Sequence, residues 1–379
     1  MIATMDELEK TMAGEGGLSG LDLSGLDLSG RKWSGAFFEA VNLSGADLSG
    51  GDFSECAFSQ VNLTGARLEG ANFSFAGFFD LSLARANARD AVLSEASFQK
   101  ARMEEADFTR ADLASAYLDS CLIDKTVFRN ANLRRIVLHQ CRLGTVDFTG
   151  ADLSGGAIPE TDLGKAVFNQ TNLTKACFEG SRLAGSSFPG CFLAMGRWNG
   201  ADLSGADFSG LDLTQLSLVG AGLKKAVFRK TEGRYADLSQ ADAAGADFTG
   251  GKWPSALFKG TNLQEALFTQ AGLEMSMFAR ADCRRADFRG AVLRFADFSH
   301  ALFDRTAFGA AVFELTDMHG TDLNQAWLDG AARGKIKPAD RDLAEAENWK
   351  PPRGSGYSKR IQDQCEGPIP PAPGDKGKS

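Results

Sequence analysis

Ala201-Asp202-Leu203-Ser204-Gly205 is followed at once by Ala206-Asp207-Phe208-Ser209-Gly210, two copies of one five-residue unit. The same unit stands cleanly at Ala46-Asp47-Leu48-Ser49-Gly50 and at Ala151-Asp152-Leu153-Ser154-Gly155. Extended in both directions, its centre recurs at every fifth position from Leu18 to Leu328 without insertion or deletion, which makes 63 consecutive pentads. Of these centres 52 are Leu or Phe, and Ala88, Gly233, Ala243 and Cys283 are the weak ones. An amphipathic helix repeats near 3.6 and a strand at 2, so a strict period of five requires a solenoid coil.

Residue size within the unit assigns each position a direction. Two places before the centre stands mostly Ala, otherwise chiefly Cys, Thr, Ser, Gly or Val, a site with room for only a small group. The centre and this small residue therefore point inward. The position before the centre and the two after it carry nearly all the Asp, Asn, Ser, Lys and Arg, so they face water.

In these pentads the chain resembles the pentapeptide repeat proteins from Leu18 to Gly330. The resemblance implies an all-β fold, a right-handed quadrilateral parallel β-helix with four pentads to a coil and about 16 coils. A right hand is also the one that parallel crossovers favour. Folding the sequence at twenty residues per coil puts eleven Phe in one column, from Phe108 to Phe308. The neighbouring column is Leu-rich (Leu143, Leu163, Leu183, Leu203, Leu223), and the opposite one holds Phe38, Phe58, Phe78, Phe98, Phe258, Phe278 and Phe298. Coils ~4.8 Å apart bring successive rings into stacking distance.

A stack of coils has two open ends that need covering. Residues 1–17 are expected to supply a helical cap: Thr4 and Glu7 have capping-box spacing, Met5, Leu8 and Met12 share a face, and Gly14 can stop the helix. In 331–379, Pro338 suits a first helical turn followed by Asp340 and Asp342, with Ala339, Leu343 and Ala346 on one face. This short helix closes the last coil or pairs two molecules as a homodimer. Beyond Trp349 the Pro-rich composition predicts an extended, mobile tail.

The net charge of −8 comprises −3 before residue 18, −8 in the repeats and +3 after residue 330. The opening residues have neither the basic nor the apolar segment of a leader, and no stretch reaches membrane-spanning length, so a cytoplasmic protein without membrane contact is expected. Of seven cysteines, Cys56, Cys121, Cys141 and Cys191 occupy the small inward site and Cys283 is a centre, all read as buried thiols. Cys177 is expected to face outward and Cys365 lies in the tail. Trp33, Trp198 and Trp253 are centres and read as core, whereas 231–235 lacks its centre, either a tolerated defect or a local bulge that would present Tyr235.

Catalytic residues are scarce. His139, His300 and His319 are the only histidines, which leaves little for a nucleophile-base pair. The twenty-residue coil does bring His300 and His319 to neighbouring coils beside Asp297 and Asp317, a donor set a metal could use. Asp before the centre is, however, a demand of the repeat. The glycines from Gly14 to Gly20 are not followed by Gly-Lys-Ser/Thr, so they are no phosphate loop. No enzyme, metal or cofactor is expected.

Binding to another protein remains. Some pentapeptide repeat proteins mimic duplex DNA and bind type II topoisomerases, and the resemblance therefore implies DNA gyrase or topoisomerase as one partner class. Against it, 21 of 38 carboxylates in the repeats stand before a centre, and elsewhere in the repeats 17 acidic residues face 23 basic ones. A DNA mimic needs a sustained negative field. Arg85, Lys125, Lys165, Lys225, Arg285 and Arg305 instead recur at multiples of twenty as a basic corner column interrupted by Glu105 and Glu265, either a docking stripe for an acidic partner or a solvated corner that balances the Asp ladder. The reading reached is a non-enzymatic protein-interaction scaffold that binds no nucleic acid directly. Several bacterial pentapeptide repeat proteins are similar to accessory or effector parts of secretion systems, including type VI loading modules; no motif of this chain singles that role out, and the long regular repeat with its appended Pro-rich basic tail is what suggests a secretion-system partner.

Overall fold

A computed structural model describes residues 5–331, 336–337 and 340–348. The chain divides into two compact units, Met1–Pro338 and Ala339–Ser379. Within the first, nearly all residues belong to a parallel β-solenoid of about 16 turns. Seven three-residue strands stack along one face: β1 (Gly17–Ser19), β2 (Phe37–Glu39), β3 (Ala57–Ser59), β4 (Gly77–Phe79), β5 (Ser97–Gln99), β6 (Tyr117–Asp119) and β7 (Val137–His139). Leu18 pairs with Phe38, Phe38 with Phe58 and so on, always parallel and twenty residues apart. The other faces are held by isolated bridges with the same step, for example Asp27 to Asp47 and Asp282 to Leu302. Four pentads therefore make one coil.

The pentad's chemistry explains each corner. At most corners the second residue after the centre takes a left-handed conformation, as at Gly205 (φ 68°) and Lys225 (φ 57°). Glycine adopts this freely, which is why it dominates the clean repeats. The carboxylate before the centre accepts the backbone N–H two residues on, as from Ser49 to Asp47 at 3.0 Å and from Ser204 to Asp202 at 3.1 Å. Such Asx turns fix the corner. Asn in this position also donates sideways to the coil before it, as from Asn172 to Asp152 at 3.0 Å.

Inside, every centre from Leu18 to Met318 and nearly all of the small residues between them are buried. The Phe column stacks ring on ring: Phe208 and Phe228 lie 5.0 Å apart and 2° from parallel, Phe248 and Phe268 4.6 Å and 1°. Opposite walls meet edge to face, Phe278 against Phe288 at 5.8 Å and 84°. Each buried ring contributes about 1.5–3 kcal/mol from burial and favourable contacts of about 0.5–1.5 kcal/mol in these geometries. Thr at the small site returns its hydroxyl to the backbone of the preceding coil, Thr126 to the Met103 carbonyl at 2.8 Å.

Helix α1 (Met5–Glu15) lies against β1 and buries Leu8 in the core, with Met5 and Met12 partly buried beside it. The helix does not stop at Gly14. It ends at Gly16, whose φ of 70° is left-handed and whose N–H donates to the Met12 carbonyl at 3.1 Å. Thr4 lies outside the described residues. At the other end, parallel pairing continues past the last regular pentad, with β8 (Thr316–Asp317) against β9 (Ile336–Lys337). In the second unit α2 runs from Arg341 to Asn348, capped by Asp340, whose carboxylate accepts the Leu343 N–H at 3.1 Å. Pro338, Ala339 and the segment from Trp349 onward lie outside the described residues. No described helix is long and apolar enough to cross a membrane.

Candidate docking surfaces on the solenoid

The acidic ladder is occupied by the solenoid's own bonds. Burial pushes the Asp247 carboxyl up, but the Thr249 hydroxyl and amide and the Arg229 guanidinium outweigh this and hold it below the usual carboxylate range. The same balance, with Arg289 as the cation, lowers Asp287. Cations reach these carboxylates from neighbouring coils: Arg229 to Asp247 at 2.6 Å, Arg89 to Asp107 at 2.7 Å, Lys224 to Asp242 at 3.1 Å. Asp in this position is thus a turn residue first and a surface charge second.

The six residues of the basic column share one corner. Arg85, Lys125, Lys225, Arg285 and Arg305 all take the left-handed corner conformation, with φ between 55° and 60°, and all are exposed. Lys125 pairs with Glu105 and Arg285 with Glu265, at 3.3 and 3.2 Å. Among the described residues, Arg85, Lys165, Lys225 and Arg305 make no side-chain ion pair.

Lys165 differs because its corner is irregular. No bridge joins Arg142 to Asp162 among the described residues, although Leu122 bridges Arg142 and Asp162 bridges Arg182. Gly144 (φ 58°) takes the left-handed conformation one place early, and Thr145 donates its N–H to Asp124 at 2.7 Å because Arg142 cannot serve as the turn acceptor. The loosened rungs open a cleft of about 400 Å3 lined by Cys141, Arg142, Gly144, Asp162, Lys165 and Arg182. Asp162 is held below the usual range by the Gly164 N–H and then by Arg182, 3.1 Å away. Among the described residues the ladder also lapses between 167 and 187 and between 192 and 212, and there Phe168 and Phe188 tilt by 33° instead of stacking. Sequence reading missed this cleft. Its signal is glycine directly after the centre in Leu143-Gly144-Thr145 and Leu163-Gly164-Lys165, where the repeat has Ser or Thr.

The rings of His300 and His319 stand edge to face at 5.3 Å. Asp317 accepts the His319 N–H and pairs with Lys337 at 2.9 Å, and Asp297 caps its own turn through Ser299. His139 contacts Asp119 at 2.6 Å in the open. Burial pushes the Cys56 and Cys191 thiols up to about 11 and the Cys283 thiol well up. Cys177 is buried, not outward. Bridging Ala157 and Arg197 at mid-face, its short side chain does not emerge from the ladder. The pentad without a centre forms no bulge either: Tyr235 sits at an ordinary corner with φ 58°.

Solved structures with similar folds include HetL from Nostoc sp. strain PCC 7120, a pentapeptide repeat protein involved in heterocyst differentiation regulation. It shares 26% identity, covers 66% of this chain and 97% of its own, and gives a TM-score of 0.28. Rfr23 from Cyanothece 51142 shares 18% identity over 43% of this chain and 99% of its own, TM-score 0.22. QnrB1, a plasmid-mediated fluoroquinolone resistance protein, shares 17% identity over 87% and 96%, TM-score 0.17. A search of curated proteins gives no match. Family patterns match along nearly the whole solenoid: a pentapeptide repeat region at 93–168, and pentapeptide repeats (8 copies) at 22–60, 52–94, 160–190, 196–222, 217–250, 255–294 and 296–331. With twenty-residue coils, left-handed corners and an Asp ladder underlying those matches, the chain belongs to the pentapeptide repeat family.

Proposed function

We propose that the chain is a non-enzymatic protein-interaction scaffold that presents its basic corner and adjoining flat faces to an acidic protein partner. One observation carries this reading. Asp residues beside the corners are bound into turns and ion pairs, whereas four of the six basic-column cations have no side-chain ion pair among the described residues. Available charge at that corner is therefore positive although the net charge is −8. Such an arrangement speeds encounter with an acidic surface and fixes its register along the coils. Within this reading the partner belongs to a bacterial secretion assembly such as type VI, supported by the family resemblance and the appended Pro-rich basic segment.

Gyrase or topoisomerase binding as a DNA mimic is the second reading, favoured by the Asp ladder running the length of the solenoid. The test is affinity capture from a lysate of the native organism with the full chain and with Lys225→Glu/Arg285→Glu/Arg305→Glu, together with a gyrase supercoiling assay. Capture of an acidic assembly protein that the triple variant loses supports the scaffold. Gyrase inhibition that survives the triple variant establishes the DNA mimic and overturns it.

A further inference from the structure

Corner residues of the solenoid divide into four columns, and large apolar side chains stand in only one of them. Phe75, Met195, Tyr235, Met275, Phe295 and Leu315 are all separated by multiples of twenty, and the other three columns hold Gly, small, polar or charged residues. All six adopt positive φ, between 51° and 62°, where bulky side chains are disfavoured. None serves the core, since the five from Met195 to Leu315 are 41% to 59% exposed. The fold does not require this pattern. Exposed apolar surface of this kind marks a contact site.

From Met195 to Leu315 the column reads Met195, Gln215, Tyr235, Ser255, Met275, Phe295, Leu315 over seven coils, or ~29 Å at the strand spacing. We propose that this ridge pairs with the same ridge of a second copy of the chain, antiparallel, about a twofold axis at Ser255. The axis sets Met195 opposite Leu315, Gln215 opposite Phe295 and Tyr235 opposite Met275, and places the small Ser255 on itself. Isologous contacts of this sort must be self-complementary.

Charges beside the ridge fit the same axis. Arg234, now over the Tyr235 ring at 5.8 Å, comes opposite Glu274. Neither residue forms an ion pair within its own chain among the described residues. Arg294 and Glu314, paired with each other at 3.4 Å, come opposite Thr214 and Ala194. Lys252 approaches its own image but is already bound to Glu232 at 2.7 Å. Apolar flanks match as well, with Phe192 opposite Val312 and Leu257 near its own image. A parallel pair would instead bring the Glu314 and Asp317 sides together. The contact covers on the order of 1,000 Å2 in total, the lower end of specific interfaces, so association is expected in the micromolar range.

Sedimentation velocity of the full chain from low micromolar to submillimolar concentration tests this pairing. The expected result is reversible growth from 40.4 kDa to twice that mass. Met275→Lys/Phe295→Lys should weaken association by about tenfold or more (roughly 1.4 kcal/mol per tenfold). Its melting temperature should be unchanged, because Lys225 occupies the same left-handed corner geometry. In a Cys365→Ser background, Met195→Cys mixed with Leu315→Cys should give a mixed disulfide dimer, whereas Met195→Cys alone should not cross-link to itself. A monomer at every concentration, a dimer that the double Lys variant leaves intact, or self-cross-linking of Met195→Cys would overturn the proposal.

Discussion

The Trp253 indole fills the space that Gly233 leaves empty one coil earlier: a Cβ built on Gly233 would overlap the six-membered ring. A pentad without a centre is therefore half of a pair, and its defect is repaired by the largest side chain available. Gly233→Leu is expected to overpack the site at a cost of about 3 kcal/mol or more, and Trp253→Leu to leave a cavity costing about 3 kcal/mol. Combining Gly233→Leu with Trp253→Leu restores two ordinary centres and should be less destabilised than the two single changes predict together. Thermal melts of the four proteins measure this coupling, and strict additivity would remove it.

Phe208 is fully buried and lies between Phe188 at 5.1 Å and Phe228 at 5.0 Å. Phe208→Asp places an unpaired carboxylate in this wall and is expected to abolish soluble, folded protein. Phe208→Leu, a residue common at other centres, should fold with a lowered melting temperature. Equal yields and melts for both variants would contradict the stacked core.

The core was legible because one periodic rule governs it: a residue whose number fixes its position in the pentad, and whose number modulo twenty fixes its wall, needs no tertiary information. Cys177 escaped that rule because position gives direction and not depth, and a short side chain between two ladder neighbours stays covered. The cleft at Gly144 and Gly164 arises from a turn that shifts by one residue while the spacing of the centres is kept, so counting centres cannot detect it. For Met195, Tyr235, Met275, Phe295 and Leu315, being assigned to water concealed that their side chains are unsuited to it. Their alignment becomes informative once the corners are known to be left-handed and exposed.

Acid should weaken the solenoid through its Asp ladder. Asp52 is lowered chiefly by the Ser54 hydroxyl and amide, and in Asp247 and Asp287 hydrogen bonds and guanidinium groups outweigh burial. A carboxyl with a depressed folded value contributes its full stability above the unfolded value, near 3.8. That contribution is lost as pH falls through the folded value. Melting temperature should therefore be level from neutral pH down to about 5 and fall steeply below 4. Asp247→Asn retains an acceptor for the turn and should flatten part of that fall. A melting temperature independent of pH in the acid range would show that the ladder adds no stability.

Arg142, Gly144 and Thr145 together account for the loosened rung, since the first offers no carboxylate to the turn and the second moves the left-handed residue forward. Writing the repeat back with Arg142→Asp, Gly144→Ser and Thr145→Gly supplies the Asx acceptor and returns glycine to the corner. The rung between 142 and 162 should then close, protecting the amides of Leu143 and Asp162 from hydrogen exchange. A gain of about 1 kcal/mol would raise the melting temperature by about 2–4 °C for a solenoid of this size. A lower melting temperature, with those amides still exchanging freely, would mean that the opening is imposed by packing of the coils beneath it and not by the turn.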